Sequence, residues 1–405
     1  MNAVDVLVVG GGAAGLMAAW EAARRGRRTR LLEKNRRPGL KILISGGGRC
    51  NVTTTRDGRD LESQYGTRRG RFLRHALREL PPPAVRAFFE AAGVPLQEED
   101  LEKLFPVSQR ARDVLDALLR RCEEAGVELV TGAAVRELRH VGDHFVVSAD
   151  GEHAATSVVL ATGGLSYPKT GASGDGYAFC RAFGHTITRT WPALAPLSLT
   201  DAWVRELQGI VVDGVDLAVI DPDGRERLRR RRPILFTHKG LSGPAPMDLA
   251  GDVEELAGRA RLRFDFAPAA SREQLETEWL AAAAAHGARR VETLLPQALP
   301  ERLRAALVTV AGSGGTLANL ARDARRRLLE AVKDLRVPVP RSLGYDHAEV
   351  TRGGVDLAEI DPRTMASRRQ PGLFVCGELL DVDGPIGGFN FQAAFATGRL
   401  AGRNA

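Results

Sequence analysis

The chain has 405 residues, of which 44% are apolar and 26% charged, and its formal net charge is +7. This length predicts two or three domains of an ordinary globular protein. The basic excess suits anionic ligands such as nucleotide phosphates or nucleic acid, although Arg supplies most of it, which favours a generally basic surface. No run of about 18 uninterrupted apolar residues occurs, so we expect no membrane span.

The cysteines and the N-terminal residues bear on the compartment. Cys50, Cys122, Cys180 and Cys376 stand far apart and form no C-x-x-C motif. This spacing argues against a disulfide framework and against a zinc site, and it fits a reducing cytosol. The first 20 residues lack a basic leader and are interrupted by glycines, so they do not predict a signal peptide. We therefore expect a cytoplasmic protein without a bound metal.

The N-terminal residues follow a strand-turn-helix-strand pattern. Residues 4–9 (V-D-V-L-V-V) predict a strand that is buried on both faces. Residues 16–25 then predict a helix, and residues 28–32 predict a second strand that ends at Glu33. This order is typical of the first unit of a dinucleotide-binding fold.

Three glycines in the first turn indicate what the unit binds. Gly10, Gly12 and Gly15 fit G-x-G-x-x-G, which permits a tight turn, close approach of a pyrophosphate and close packing of helix on strand. The helix N-terminus then offers N–H groups to the phosphates. Glu33 is placed to hydrogen-bond both ribose hydroxyls and to repel a 2′-phosphate. The segment predicts a dinucleotide site that disfavours NADP.

Further segments bear on which dinucleotide is bound. Residues 38–53 form a glycine-rich loop that contains cations and can wrap a ribityl-pyrophosphate chain. Residues 157–164 (S-V-V-L-A-T-G-G) predict a buried strand that enters a turn of small residues, suited to a flat ligand. Residues 372–378 (G-L-F-V-C-G-E) predict a strand that ends in Gly-Glu, and a helix follows at about 391–400. An N-terminus of that helix aimed at a flavin would stabilise negative charge on its N1–C2=O edge. The combined set predicts FAD.

Four stretches of sequence also carry a resemblance: K-I-L-I-S-G-G-G-R-C-N-V-T, A-T-G-G-L-S-Y-P-K-T-G, T-H-K-G-L-S-G-P and G-E-L-L-D-V-D-G-P-I-G-G-F-N-F-Q-A-A-F-A-T-G. They resemble the BaiN/YhiN-type flavoprotein family, whose members are often called aminoacetone oxidase family FAD-binding enzymes. The resemblance runs from about residue 3 to residue 403. It implies a noncovalent FAD in a Rossmann-like domain related to the glutathione reductase and fumarate reductase flavoproteins. It also implies an inserted β-barrel-like subdomain that carries a small helical one.

The motifs and the resemblance together assign a set of cofactor-binding residues. These are Gly10, Gly12, Ala13, Ala14, Gly15, Glu33, Lys34, Lys41, Ser45, Gly46, Gly47, Arg49, Cys50, Asn51, Val135, Ala161, Thr162, Gly163, Gly377, Glu378, Asp383, Gly387, Gly388, Phe389 and Asn390.

The chain is predicted to be an α/β protein with three parts. A discontinuous, Rossmann-like FAD-binding domain is expected at 1–190 and 345–405. An antiparallel, β-barrel-like insert is expected at 191–270 and 336–344, and a small helical insert at 271–335.

Local patterns support the two inserts. Short strand-like runs occur at 210–219 and 233–236, separated by Gly, Asp and Pro. Ser271, followed by Gln274, resembles a helix capping box. The run Arg225–Arg232 could bind nucleic acid, but no aromatic residues interleave with its arginines. We therefore favour a solvated hairpin tip for this run.

Catalytic residues are not identified by the sequence, but three side chains are candidates. His238 could act as an acid or base, or it could be a turn residue that hydrogen-bonds the backbone. Tyr167 and Lys169 follow the A-T-G-G turn and could contact substrate. Cys50 lacks a second thiol nearby in sequence, so we expect it to pack rather than to react.

The function predicted from these features is that of an FAD-dependent oxidoreductase. It would reduce a small organic substrate by hydride transfer through noncovalent FAD, with NAD(P)H as transient reductant or with another donor. No second G-x-G-x-x-G follows a strand, so a dedicated NAD(P)H domain is not expected. The alternatives are an oxygen-using amine or aminoketone oxidase, a noncatalytic flavin protein that binds nucleic acid or another partner, and an enzyme with covalent flavin. We expect a small-molecule substrate, no membrane partner and no nucleic-acid partner.

Overall fold

The structure of the protein, a computed structural model, describes residues 3–405. The chain forms two compact units. The first ends at Trp191 and resumes at Glu349, and the second runs from Pro192 to Ala348.

The helices and strands follow one another along the chain. From residue 3 to the end of the first segment they are β1 (Val4–Val9), α1 (Ala13–Ala23), β2 (Thr29–Glu33), α2 (Leu40–Ile44), β3 (Thr53–Thr54), α3 (Gly58–Gln64), α4 (Gly66–Glu79), α5 (Pro82–Ala91), β4 (Leu96–Glu99), β5 (Lys103–Pro106), α6 (Ala111–Glu124), β6 (Glu128–Thr131), β7 (Glu137–Val141), β8 (His144–Ala149), β9 (Gly151–Leu160), α7 (Asp175–Ala182) and β10 (Trp191–Ala193).

The remaining elements complete the second unit and then return to the first. The second unit contains β11 (Leu197–Ser198), α8 (Ala202–Glu206), β12 (Val211–Val212), β13 (Asp216–Ile220), β14 (Glu226–Arg231), β15 (Ile234–Thr237), β16 (Gly240–Ser242), α9 (Pro244–Glu255), β17 (Ala260–Asp265), α10 (Arg272–His286), α11 (Glu301–Val310), α12 (Arg322–Lys333), β18 (Leu335–Val339) and β19 (Arg341–Ser342). The returning segment contains β20 (Val350–Arg352), β21 (Leu373–Val375) and α13 (Phe389–Asn404).

A seven-stranded sheet forms the centre of the first unit. Its order is β6-β2-β1-β9-β8-β7, and β21 pairs with the last residues of β9. β6, β2, β1, β9 and β21 are parallel, whereas β7 and β8 form an antiparallel hairpin. Val6, Leu7 and Val8 in β1 are fully buried, as expected for a strand covered on both faces. The parallel sheet confirms the predicted Rossmann-like α/β class.

Two helices of the first unit lie against each other at very short range. A Cβ atom on Gly398 would clash with the carbonyl oxygen of Ala14, and one on Gly402 would clash with that of Ala18. Only glycine lets the backbones of α1 and α13 approach this closely. Because 14 pairs with 398 and 18 with 402, the two helices run parallel. Their N-termini therefore face the same way.

The second unit contains two antiparallel sheets. One has the order β12-β15-β16-β11-β19, and the other has the order β14-β13-β17-β18. The predicted run at 210–219 is split into β12 and β13, and the predicted run at 233–236 corresponds to β15. Helices α10, α11 and α12 share one hydrophobic core with these sheets.

The predicted capping box at the start of α10 is confirmed. The Ser271 hydroxyl accepts a hydrogen bond from the backbone N–H of Gln274 at 3.2 Å, and the Gln274 side chain accepts one from the backbone N–H of Ser271 at 2.7 Å. This exchange satisfies N–H groups that would otherwise have no partner at the helix start.

The arginine-rich run lies on β14, at the edge of its sheet. Arg231 pairs with Asp216 at 2.6 Å, and Arg232 pairs with the buried Asp248 at 2.9 Å. Arg230 also reaches Asp248, at 3.3 Å. Much of the positive charge in this run is therefore matched by carboxylates of the same unit. Within residues 3–405, no helix is both long and apolar enough to cross a membrane.

Candidate functional site

The turn between β1 and α1 combines crowded and open glycines. Gly10 has a φ of +106°, and a Cβ there would lie 2.6 Å from the carbonyl oxygen of Ala161. A Cβ on Gly15 would clash with the carbonyl oxygen of Gly10. By contrast, no protein atom beyond the adjacent residues lies within 4 Å of a Cβ built on Gly12. The turn therefore leaves open space at the position where the sequence motif predicts a pyrophosphate.

The N-terminus of α1 faces this space without a side-chain cap. Gly12 is the N-cap residue, and no side chain accepts a hydrogen bond there. The first turn of a helix carries N–H groups without intrahelical partners and the positive end of the helix dipole. Such an end suits an anionic ligand.

Glu33 fixes the same turn from the end of β2. Its carboxylate accepts hydrogen bonds from the backbone N–H of Gly11 at 2.7 Å and from that of Asn35 at 2.8 Å. The residue is only 7% exposed. Ala133 donates its backbone N–H to the Glu33 carbonyl at 2.9 Å, which places the loop that contains Val135 beside it. Glu33 thus orders the turn in addition to the predicted ribose contact.

The glycine-rich loop has backbone angles that residues other than glycine rarely adopt. Gly46, Gly47 and Gly48 have φ angles of +55°, +68° and +84°. The carbonyl of Ser45 accepts a hydrogen bond from the backbone N–H of Cys50 at 3.0 Å and closes the loop. No protein atom lies within 4 Å of a Cβ built on Gly47, so this part of the loop is open on one side.

The two cations of the loop are held by carboxylates. Arg49 pairs with Glu99 at 2.9 Å and lies over the ring of Phe105, 4.1 Å from its centroid. Lys41 pairs with Glu378 at 2.6 Å. Arg49 therefore anchors the loop to β4 and β5. Lys41 instead connects the loop to the residues that follow β21.

The loop is also joined to the start of α13. The side-chain oxygen of Asn51, in the orientation that satisfies both ends of its amide, accepts the backbone N–H of Gly388 at 2.8 Å. The Asn390 side chain exchanges two hydrogen bonds with the backbone of Gly384, at 2.9 and 3.0 Å. The hydroxyl of Tyr65 donates to the carbonyl of Phe389 at 2.7 Å. Gly388, the N-cap residue of α13, has no side-chain cap, so this helix also presents free N–H groups.

The starts of α1 and α13 are offset along their shared direction. Gly398, opposite Ala14, is nine residues into α13, whereas Ala14 is one residue into α1. At a rise of about 1.5 Å per residue, α13 begins about 12 Å beyond α1. Two helix N-termini are thus placed in series, as an elongated ligand with separate anionic regions would require.

The turn after β9 contains a polar group without a partner. Within the described residues, the buried hydroxyl of Thr162 has no hydrogen-bond partner. Ala161 donates its backbone N–H to Val9 at 2.9 Å, and Gly163 has a φ of +74°. A buried hydroxyl without a partner indicates a place where a ligand atom or a water completes the bond.

Thr351 was missed by the sequence reasoning. It is fully buried, and its hydroxyl accepts the backbone N–H of Leu165 and contacts the hydroxyl of Ser166, both at 2.8 Å. Its backbone N–H donates to Glu378 at 2.8 Å. Thr351 therefore links the turn after β9 to the Lys41–Glu378 pair. A threonine before two glycines in T-R-G-G was the only signal in the sequence.

Other predicted residues have different surroundings. Burial raises the pKa of the Cys50 thiol to about 12, which agrees with packing rather than reaction. Asp383 pairs with Arg69 at 3.0 Å and with Arg352 at 3.1 Å. Lys34 pairs with Asp175 at 2.8 Å.

The three catalytic candidates are divided between the units. Tyr167 and Lys169 follow the turn after β9, and Tyr167 has an unusual backbone with φ +52°. Lys169 is exposed. His238 lies in the second unit, exposed in the turn between β15 and β16. The structure thus brings Tyr167, but not His238, into the same unit as the predicted cofactor residues.

The chain is similar to a known protein family and to characterised enzymes over nearly its whole length. Residues 4–404 match the family model described as the HI0933-like protein Rossmann domain. The ribosomal RNA dihydrouridine synthase of Escherichia coli (strain K12) is 32% identical over 403 residues, which cover 98% of this chain and 96% of that protein. The 3-dehydro-bile acid delta(4,6)-reductase of Clostridium scindens is 30% identical over 414 residues, covering 100% and 99%.

A comparison with solved structures shows a similar fold. The 3-ketosteroid-delta4-(5alpha)-dehydrogenase of Rhodococcus jostii RHA1, solved with 4-androstene-3,17-dione, matches with a TM-score of 0.51 and 18% identity. The match covers 99% of this chain and 96% of that one.

Proposed function

Because the chain belongs to the HI0933-like family of FAD-dependent oxidoreductases, we propose that it is a reductase that saturates a carbon–carbon double bond conjugated with a carbonyl group. Family membership confirms the predicted resemblance, and it supports the predicted FAD. One observation carries the choice of reaction. Over nearly its whole length the chain is similar to two enzymes whose names each describe the reduction of such a bond.

The two named reactions share their chemistry. Dihydrouridine is uridine in which the ring double bond next to a carbonyl has been saturated, and a delta(4,6)-reductase of a 3-oxo compound acts on double bonds conjugated with that carbonyl. In uridine, and at the 4,5 double bond of the 3-oxo compound, a hydride adds to the β-carbon and a proton adds to the α-carbon. FAD, when bound, supplies the hydride chemistry that such a reduction needs.

The described residues fit FAD. The open space at Gly12 and the uncapped N-terminus of α1 suit a pyrophosphate. Glu33, with the loop from Ala133 to Val135 beside it, would hold the ribose. The uncapped start of α13 would contact the rest of the cofactor.

We propose ribosomal RNA as the acceptor to test first. Two relatives from different organisms, at 32% and 27% identity, carry the name of a ribosomal RNA dihydrouridine synthase. The net charge of +7 suits a polyanionic partner. These findings weaken the prediction that nucleic acid is no partner. A small conjugated ketone is the second candidate, and the 30% identity to the bile-acid reductase supports it.

The proposed electron donor is NADH or NADPH, docking transiently. We place the reaction in the cytoplasm because the four cysteines are buried free thiols and these nicotinamides are cytosolic reductants.

Stepwise mixing without oxygen tests this function. The purified FAD-loaded protein is mixed with NADH or NADPH, and loss of visible flavin absorbance is expected with at least one of them. A ribosomal RNA transcript without modifications, or a 3-oxo-4,6-diene bile acid, is then added. We expect the absorbance to return and mass spectrometry to detect dihydrouridine or the saturated steroid. If the protein reduces neither acceptor, the proposed function is wrong. If neither nicotinamide bleaches the flavin, the proposed electron donor is wrong.

A further inference from the structure

The turn after β9 holds Tyr167 in a conformation that tyrosine rarely adopts. Its φ of +52° and ψ of +65° lie in the left-handed region, which is unfavourable for any residue with a Cβ atom. A strained residue persists only where surrounding contacts impose it, and such residues cluster at active sites. The contacts around Tyr167 must therefore hold it in this conformation.

Specific hydrogen bonds impose this conformation. The backbone N–H and the hydroxyl of Thr170 both donate to the Tyr167 carbonyl at 2.8 Å. On the other side, the Ser166 hydroxyl contacts the buried hydroxyl of Thr351 at 2.8 Å. The residue is thus held from both sides by short hydrogen bonds.

The same contacts place the turn that carries Tyr167 next to the candidate cofactor site. Thr351 donates to Glu378, and Glu378 pairs with Lys41 of the glycine-rich loop. A Cβ on Gly164, three residues before Tyr167, would lie only 3.0 Å from a carboxylate oxygen of Glu378. The turn that carries Tyr167 therefore packs against the residues that link the two cofactor segments.

The phenol side chain of Tyr167 is half-buried, and its hydroxyl hydrogen is available for donation. Its hydroxyl has no hydrogen-bond partner within residues 3–405. Burial, together with the nearby charge of Glu349, raises the pKa of Tyr167 above its usual value. The hydroxyl therefore stays protonated at neutral pH, as a proton donor must.

We propose that Tyr167 is the catalytic acid of the reduction. The inference rests on the proposed function, since it assigns the proton that the hydride transfer requires. FAD, when bound, would supply the hydride for the β-carbon; as the π bond breaks, the Tyr167 O–H bond would break and the α-carbon would take the proton. The substrate gains two electrons, which NAD(P)H supplies, and water returns a proton to the phenolate.

A kinetic test separates this role from cofactor binding. In the FAD-loaded Tyr167→Phe variant, we expect bleaching by NADH or NADPH at the wild-type rate. Transfer to the ribosomal RNA transcript or to the 3-oxo-4,6-diene should be slower by roughly 100-fold or more, the usual contribution of a positioned acid. Tyr167→Asn, which tolerates the left-handed backbone, should show the same defect. If either variant reduces the acceptor at the wild-type rate, the role of Tyr167 is wrong.

A chemical test needs no turnover. At alkaline pH, where phenols ionise, tetranitromethane should nitrate Tyr167 in the oxidised FAD-loaded protein, whereas Tyr65 and Tyr177, only 3% and 4% exposed, should react little. Uridine monophosphate or the 3-oxo-4,6-diene should protect Tyr167 several-fold, as measured by peptide mass spectrometry. Protection by neither compound would overturn the assignment.

The two proposals fail in different ways. Wild-type protein that takes electrons from NAD(P)H but passes them to neither acceptor contradicts the reductase function. Wild-type turnover with an unaffected Tyr167→Phe variant contradicts only the acid.

Discussion

Gly10, Gly12 and Gly15 belong to one motif, but their neighbours give them different tasks. Gly10 and Gly15 have no room for a Cβ because backbone oxygens stand where it would be. Gly12 has room, and its φ of −83° is one that any residue adopts. Folding therefore requires glycine at the first and last positions of the motif. At the middle position, the requirement must come from the ligand.

This distinction predicts a substitution that weakens FAD binding without changing the stability of the fold. Gly12→Ala should leave the thermal unfolding of the FAD-free protein unchanged, because the added methyl meets no protein atom within 4 Å. It should weaken FAD binding at least tenfold, because the methyl occupies the space needed by the pyrophosphate. Binding is measured by flavin fluorescence titration.

The control for this variant is another glycine with equal freedom. Gly314 also has no protein atom within 4 Å of a built Cβ and no positive φ, but it lies in the second unit. Gly314→Ala should change neither stability nor FAD affinity. Unaltered FAD affinity in Gly12→Ala would show that the pyrophosphate does not lie at this turn.

At the scale of elements, the contact between α1 and α13 determines how the two halves of the site are aligned. Small residues at 14 and 18 face glycines at 398 and 402, so the helices touch along their backbones. This contact keeps both N-termini pointing the same way with a fixed offset. Any change that separates the helices should disturb the first unit and the cofactor together.

Gly402→Ala tests this contact, because helix propensity and the packing of α1 on α13 predict opposite changes in stability. Alanine favours a helix over glycine by up to about 1 kcal/mol, so propensity alone predicts a gain in stability. We expect instead a loss of about 1–3 kcal/mol, because the Cβ clashes with the carbonyl of Ala18, which cannot rotate away. Urea unfolding of the FAD-free protein measures the difference. A stabilised variant would mean that the helices are not in backbone contact.

The same scale shows what the sequence could predict. β1, α1, β2, the end of β9 and α13 were predicted because each has a local pattern: a β-branched run, a glycine spacing, or a strand followed by Gly-Glu. Pairings between distant segments have no such pattern. Thus the Lys41–Glu378 pair and the hydrogen bonds of Thr351 were not predicted, since they join residues up to 337 positions apart. The antiparallel β7–β8 hairpin beside β9 is a local pairing and was missed for a different reason, because its residues alternate only weakly between apolar and polar.

The cofactor residues differ in the same way. The turn glycines could be placed from spacing alone, because their steric role repeats in every fold of this type. The role of Arg49 could not, because its partners Glu99 and Phe105 lie on strands that the sequence did not resolve. A charge beside a glycine-rich loop looks the same whether it binds phosphate or a carboxylate of the protein.

At the scale of the whole molecule, one buried cluster connects segments far apart in the first unit. Glu359 accepts hydrogen bonds from the backbone N–H of Thr186 at 2.8 Å and from Arg369 at 2.7 Å. His185, only 4% exposed, lies 3.3 Å from Glu359 and 2.8 Å from the hydroxyl of Ser367. The cluster joins the segment after α7 to the one before β21, and thus closes a discontinuous chain.

The cluster should make the first unit sensitive to acid. Burial lowers the pKa of His185, so the unfolded chain takes up this proton first as the pH falls below about 6.5. Burial alone would raise the pKa of Glu359, but hydrogen bonds from Arg369 and Thr186 lower it to about 2. Stability from this carboxylate is present above about pH 4.5 and is lost as the pH falls towards 2. Both groups therefore reduce the free energy of unfolding in acid.

Glu359→Gln isolates the carboxylate in this response. The variant keeps a similar shape but cannot form the ion pair, so we expect it to be less stable at pH 7 by at most about 3 kcal/mol. The difference from wild type should shrink between about pH 4.5 and 3, because the unfolded wild-type chain takes up a proton at this carboxyl there while the folded carboxyl, with its pKa of about 2, stays ionised. Urea unfolding at a series of pH values measures both effects. Glu123→Gln, at an exposed position in α6, should follow the wild-type curve throughout. If the Glu359→Gln and wild-type curves stay parallel down to pH 3, this cluster does not control the acid stability of the first unit.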